Sequence, residues 1–309
     1  MDDVFCVIEN ISALSPSPAA RYRIQRLLGQ PVQPELLDAF CRSKWVELLK
    51  AGQREDGGFG RFHSMDSKVK QLYPTTERAV DAMRILGLSR GCPLVDRVCA
   101  YMEGIITGDI PWPDVLEKNP WYRSAIGLFA ASKLSAFGSD SEAFLKVFDL
   151  WHAVLREAFA DGTYSRDRAN RVSKELLGCD IDGRYIALNS IYAVELFAHM
   201  ESRLDEDLKR RYLKWLHGLE IPVFYTSAVL SRGLDNRFSD LYRVYFPLSE
   251  FSCFREEFGE ELRLLKERRD PNGFWNFGRS FNVQKLSDDW RSRARMTTDH
   301  TVLALVLYA

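Results

Sequence analysis

The 309 residues are 46% apolar and 28% charged with a net charge of −1, a composition able to bury a sizeable core. That balance excludes a broadly basic nucleic-acid or anionic-membrane binder, and six scattered cysteines without a CxxC pair argue against a disulfide scaffold. The chain opens without a basic segment leading into an apolar run, and no stretch of about 18 apolar residues occurs, so the expectation is a cytoplasmic protein with no transmembrane segment.

Apolar positions recur every three or four residues nearly throughout, and strand-like alternation is scarce. In chain order the pattern predicts helices over roughly 2–14, 18–29, 34–51, 75–88, 93–107, 121–135, 141–159, 184–200, 205–218, 223–233, 249–268 and 297–308, with an extra turn near Tyr242. They alternate in character. Every second one is small and apolar all round, as in Thr301-Val-Leu-Ala-Leu-Val-Leu-Tyr, which implies burial on every side. Their partners, such as 204–216, are charged and amphipathic.

Buried helices alternating with half-exposed ones predict an all-α fold, either an α/α toroid or an open solenoid of the same units; the expectation is a single (α/α)6 toroid over 1–309, six inner helices within six outer ones. The inner helices open on segments that align in register. Arg21, Arg78, Arg123 and Arg184 share one first-turn position, occupied by Tyr225 and His300 in the other two, at intervals of 41 to 75 residues. Glycine-aromatic turns precede several of them: Gln53-Arg-Glu-Asp-Gly-Gly-Phe-Gly60, Asp161-Gly-Thr-Tyr164 and Asp270-Pro-Asn-Gly-Phe-Trp-Asn-Phe-Gly278.

At these turns the chain resembles the terpenoid cyclase and protein prenyltransferase superfamily, whose repeats carry a Gln, an acidic-Gly pair and an aromatic ahead of an inner helix. Gln53, Asp56, Gly57, Gly58 and Phe59 match that pattern, Asn272, Gly273, Phe274 and Trp275 match part of it, and Thr75-Thr76 followed by Ala79-Val80 looks like an inner-helix opening. The resemblance implies two catalytic candidates. Asp180-Ile-Asp182-Gly183 is similar in position to the Asp-x-Asp-Asp acid of class II cyclases, with Gly183 where the last acid would stand, making Asp182 the candidate acid. Asp299-His300 looks like the late histidine of a prenyltransferase zinc site, but the Asp-x-Cys partner is missing, so no metal is assigned. Each has a plainer reading, Asp180 or Asp182 as an N-cap and His300 as a capping or pocket-lining residue.

Inner helices running parallel would bring their N-termini, and these arginines, to one anion-attracting mouth. Ligand-binding candidates are therefore Arg21, Arg78, Arg123, Arg184, Tyr122, Tyr185, Tyr225, Trp121, Asp180 and Asp299, with Asp182 and His300 as acid/base candidates. Glu77, Asp180, Asp182 and Asp299 stand close enough in sequence to neutralise the arginines instead, and His63 lies on a connection that could reach the mouth. The expected partner is an anionic or hydrophobic small molecule; no cofactor and no protein partner follows from the residues. Three functions remain open: an enzyme on a prenyl-type substrate, a non-catalytic binding or scaffold toroid, and a toroid enzyme acting on acidic sugars. Nucleotide, P-loop, hydrolase-elbow and zincin patterns are absent from the sequence.

Overall fold

The structure, a computed structural model, describes residues 2–66, 68, 70–119, 121–182, 186–219 and 242–308. Among these residues the chain is all-helical, and its extended pairing is limited to bridges from Gly60 and Arg61 to Thr75. The helices are α1 Asp2–Ala13, α2 Pro18–Leu27, α3 Pro34–Cys41, α4 Lys44–Gly52, α5 Thr76–Leu86, α6 Pro93–Thr107, α7 Trp121–Ser135 and α8 Glu142–Ala158. They continue with α9 Arg166–Leu177, α10 Ile191–His199, α11 Glu206–Gly218, α12 over 242–248, α13 Phe254–Glu257, α14 Gly259–Glu267 and α15 Arg293–Val306. The expected helix over 223–233, with Tyr225, lies outside the described residues, as do Arg184 and Tyr185.

Polar residues set the helix starts. The side chains of Ser17, Thr75, Ser141, Ser165, Ser190, Asp205 and Ser292 each accept a first-turn backbone N–H, contacts worth about 1 kcal/mol apiece. Two burial classes follow. Every residue of α10 from Ile191 to Ala198 is buried, as are Thr298 to Leu305 of α15 and most of α7. By contrast α8 and α11 bury one stripe: Phe144, Phe148, Trp151, Val154, Leu155 and Ala158 in the former, Leu208, Tyr212, Leu213 and Leu216 in the latter. α7 packs against α5, α6, α8 and α10, and α2 packs on α15. That join is reinforced by a 3.2 Å hydrogen bond between the Ser17 and Ser287 hydroxyls and by Trp45 Nε1 donating to Ser287 O at 3.1 Å.

Several element boundaries differ from the periodicity. The expected 34–51 helix breaks at Arg42-Ser43, where Ser43 turns extended. α9 was not expected, because it buries only Ala169, Val172 and Ser173 and so carries almost no apolar period. α10 starts at Ile191, where Ser190 caps it, seven residues beyond position 184. α15 starts at Arg293, so His300 sits in its interior rather than its first turn.

Two glycine-aromatic turns share one hydrogen-bond pattern, which corrects the register expected for α15. Gly57 (φ +91°) donates to Arg54 O, and Gly273 (φ +84°) donates to Asp270 O. A Cβ on Gly57 would stand 2.3 Å from Arg97 O, so only glycine fits there. Beyond each turn an aromatic N–H donates 3.0 Å to a buried threonine hydroxyl, Phe59 to Thr76 and Trp275 to Thr301. Thr301 is thus the counterpart of Thr76. The first-turn alignment, which sets His300 opposite Arg78, is therefore three residues out of frame, and His300 occupies the place of Thr75.

Candidate functional site

After the first turn, residues 60–66 run back over the start of α5. Thr76 N and Glu77 N donate to Arg61 O and Phe62 O at 2.8 and 3.1 Å. From the other side, the buried Asp114 carboxylate accepts Phe62 N, His63 N and Ser64 N at 2.6, 2.9 and 2.6 Å, and the Ser64 hydroxyl at 3.0 Å. These charge-assisted bonds leave the backbone of His63 little freedom. The imidazole stacks on Phe129 at 5.0 Å between centroids, and its Nδ1 lies 2.8 Å from Glu77 Oε2 and 2.7 Å from the Tyr192 hydroxyl. A carboxylate and a hydroxyl on one side fix which ring edge carries the nitrogen. With Nδ1 taken, Nε2 is left for the cleft that the ring lines.

That cleft, of about 730 Å³, is lined by the cations Arg61 and Lys118 and the carboxylate of Glu117, by His63, Trp121, Tyr122 and Phe129, and by Ser64, Val115, Leu116 and Asn119; Arg61 also pairs with Asp66 at 3.5 Å. Val115 and Leu116 are exposed there, while Tyr122 is held by Trp112 Nε1 donating to its hydroxyl at 3.3 Å. Burial disfavours the His63 imidazolium, yet the hydrogen bond and charge of Glu77, with Asp114 nearby, outweigh it and raise the pKa. Burial pushes Glu77 up, but His63 and Lys133 more than offset it and hold its pKa low. Tyr192 also bonds to Glu77; burial first, then that negative charge, keep its hydroxyl protonated.

Behind this pair an ionic network fills the space between α5, α7 and α10. Lys133 Nζ contacts Asp81 at 2.7 Å, Glu195 at 2.9 Å and Glu77 at 3.9 Å, with its side chain only 2% exposed. Arg84 donates to Glu195 at 2.9 Å and to His199 Nε2 at 2.7 Å, and lies 5.0 Å over the Phe246 ring. Because Nε2 accepts from a guanidinium, His199 is neutral and donates Nδ1–H to the Ser135 hydroxyl, 2.9 Å away. Burial, Arg84 and Lys133 all hold its pKa far below the ordinary value. Burial opposes the charge on Lys133, but Asp81, Glu195 and Glu77 prevail and its pKa is raised.

The sequence-derived candidates fall in different places. Trp121 and Tyr122 wall the cleft. Arg21, Arg78 and Arg123 are in first turns as expected, exposed and without an ion pair among the described residues. Asp180 pairs with Lys174 at 3.0 Å, and Asp182 pairs with Arg166 while Asn170 Oδ1 accepts its backbone N–H. Asp299 is buried and accepts Leu286 N and Ser287 N, both at 2.9 Å, and the Ser287 hydroxyl at 2.6 Å; burial raises its pKa against those bonds. His300 Nδ1 accepts Phe277 N at 3.0 Å, and burial, with Lys285 nearby, lowers its pKa to about 3. None of these four lines the cleft.

Sequence reasoning passed over Lys133, Glu195, Arg84, His199, Tyr192 and Asp114. A signal existed for some of them: Glu77, Asp81 and Arg84 are spaced to share one helix face, and Lys133 and Glu195 are lone charges inside apolar helices. Among the described residues no set of three or more His, Cys, Asp and Glu is grouped as for a metal ion, and no helix is long and apolar enough to cross a membrane. Comparison with protein-family models, curated proteins and solved structures gives no significant match.

Proposed function

We propose that the chain is an (α/α)6 toroid that binds a small ligand, an anionic group on a flat or apolar body, in the cleft at the start of α5 and α7. One observation carries this reading: the cationic side chains of Arg61 and Lys118 share a lining with the rings of Trp121, Tyr122 and Phe129. Cations and aromatic walls in one concavity suit such a ligand. The packing of α2 on α15 is what a ring closing between its first and last inner helices requires.

Of the two enzyme readings, action on an acidic sugar fits better than action on a prenyl chain. The cleft is open and places Arg61, Ser64, Glu117, Lys118 and Asn119 among its lining, whereas the space between α5, α7 and α10, where a long apolar tail would lie, holds Lys133 and its carboxylates. The scaffold reading draws on that same network, which is internally compensated and needs no ligand. Titration with 4-nitrobenzoate, followed by tryptophan fluorescence, separates them. Saturable quenching that weakens with salt and at least tenfold in an Arg61→Ala/Lys118→Ala variant supports the binding reading. Absence of saturable quenching at millimolar 4-nitrobenzoate leaves the scaffold.

A further inference from the structure

The polar contacts of His63 are one-sided. Glu77 accepts from the Nδ1 edge at 2.8 Å, the Tyr192 hydroxyl sits 2.7 Å from the same nitrogen, and Phe129 supports the ring face. Glu77 is itself steadied by Lys133 at 3.9 Å, and the main chain of His63 by Asp114. This is the support a general base needs: one nitrogen orientated by a carboxylate, the other without a hydrogen-bond partner among the described residues, on a ring that lines a concavity. By contrast His199, with both nitrogens bonded at 2.7 and 2.9 Å, has no such capacity. His217 is likewise occupied on both sides, by Glu257 at 3.0 Å and Glu261 at 2.8 Å.

We infer that the cleft is a proton-transfer centre, in which His63 Nε2 removes a proton from an acidic C–H of a bound ring-bearing substrate. The inference rests on the binding reading above and adds a reaction class to it. In the step, the C–H bond breaks and an N–H bond forms on His63. The electron pair moves into the substrate's adjacent carbonyl or other acceptor group, whose new negative charge falls beside Arg61 and Lys118. The imidazolium then releases its proton to water at the open side. Glu77 is a positioning residue: it fixes the ring and stabilises the imidazolium without touching the substrate.

The probe is 5-nitrobenzisoxazole, an aromatic carbon acid that needs only a base. Loss of its C3 proton breaks the N–O bond and releases a coloured cyanonitrophenolate. The wild-type protein is expected to exceed His63→Gln by roughly 10²-fold in kcat/KM. The rate should rise with pH through a midpoint above the ordinary histidine value of about 6.5, because the base must be neutral. In Glu77→Gln that midpoint should move down, a shift that a merely structural role for Glu77 would not produce. Should His63→Gln not fold, carbethoxylation of wild-type His63 by diethylpyrocarbonate, mapped by mass spectrometry and slowed by 4-nitrobenzoate, must abolish the rate in step with the modification. Binding of 4-nitrobenzoate without acceleration overturns the proton-transfer inference alone, and absence of both overturns the binding reading too. Acceleration that survives in folded His63→Gln, or after modification of His63, assigns the base elsewhere and overturns the inference.

Discussion

Two neighbouring groups of titratable residues, sharing Glu77 as a hinge, have opposite characters. Around Lys133 every charge meets an opposite one: Asp81, Glu195 and Glu77 surround the ammonium, and Arg84 satisfies Glu195 and His199 together. At His63 the pairing is left open on the side of the cleft. A buried charge with all its valences filled ties helices together; an orientated group with one valence unfilled can act on something else. The difference lies in geometry, since both groups draw on the same residue types.

Substitutions can separate the two groups, beginning with the largest effect. Lys133→Ala removes the buried cation that Asp81, Glu195 and Glu77 share and should cost about 3 kcal/mol of unfolding free energy, seen in urea denaturation. A midpoint unchanged from wild type would mean that the network does not hold α5, α7 and α10 together. Next comes acid sensitivity from His300. Its pKa is lowered to about 3 in the folded chain against about 6.5 unfolded, so the unfolded state takes up the proton first. Stability is therefore lost as pH falls from about 6.5 toward 3, and His300→Gln, which keeps an acceptor for Phe277 N, should flatten that slope in thermal unfolding at pH 7 and 5.

His63 has the opposite sign. Its pKa is raised on folding, so its contribution is full below about 6.5 and disappears as pH climbs through the folded value. The wild-type minus His63→Gln difference should shrink across that window; a difference that grows with pH contradicts the Glu77 pairing. Thr76→Val and Thr301→Val each remove a hydroxyl acceptor from a buried N–H and should cost about 1–3 kcal/mol, by similar amounts. Unequal costs would show that the two turns are not equivalent. Smallest of all, Arg78→Ala and Arg123→Ala should stay within about 0.5 kcal/mol of wild type in unfolding, as exposed side chains with no ion pair among the described residues do.

Helix content and the alternation of buried with half-exposed helices were legible because α7, α10 and α15 hold long runs of small and apolar residues buried on every side, while α8 and α11 bury one stripe. The arginine alignment was legible as sequence but not as position. Arg21, Arg78 and Arg123 fall in the first turns of α2, α5 and α7, Arg184 lies outside the described residues, and His300 falls inside α15; the starts of α10 and α15 depend on Ser190 and Ser292, residues that carry no apolar period. The cleft was half visible, through Trp121, Tyr122 and the long connection bearing His63. The groups that hold His63 at the cleft are Asp114 and Tyr192, 51 and 129 residues away, and nothing local in the sequence marks such long-range pairings.

Asp114 has a consequence for how the aperture is set. It stands directly before Val115, on one wall, while its carboxylate grips Phe62, His63 and Ser64 on the other. A single side chain therefore fixes the gap between the walls, as the jaw of a caliper does. Lengthening it by one methylene, in Asp114→Glu, offers a way to widen the opening and shift the size of guest it admits without altering any surface the guest would touch.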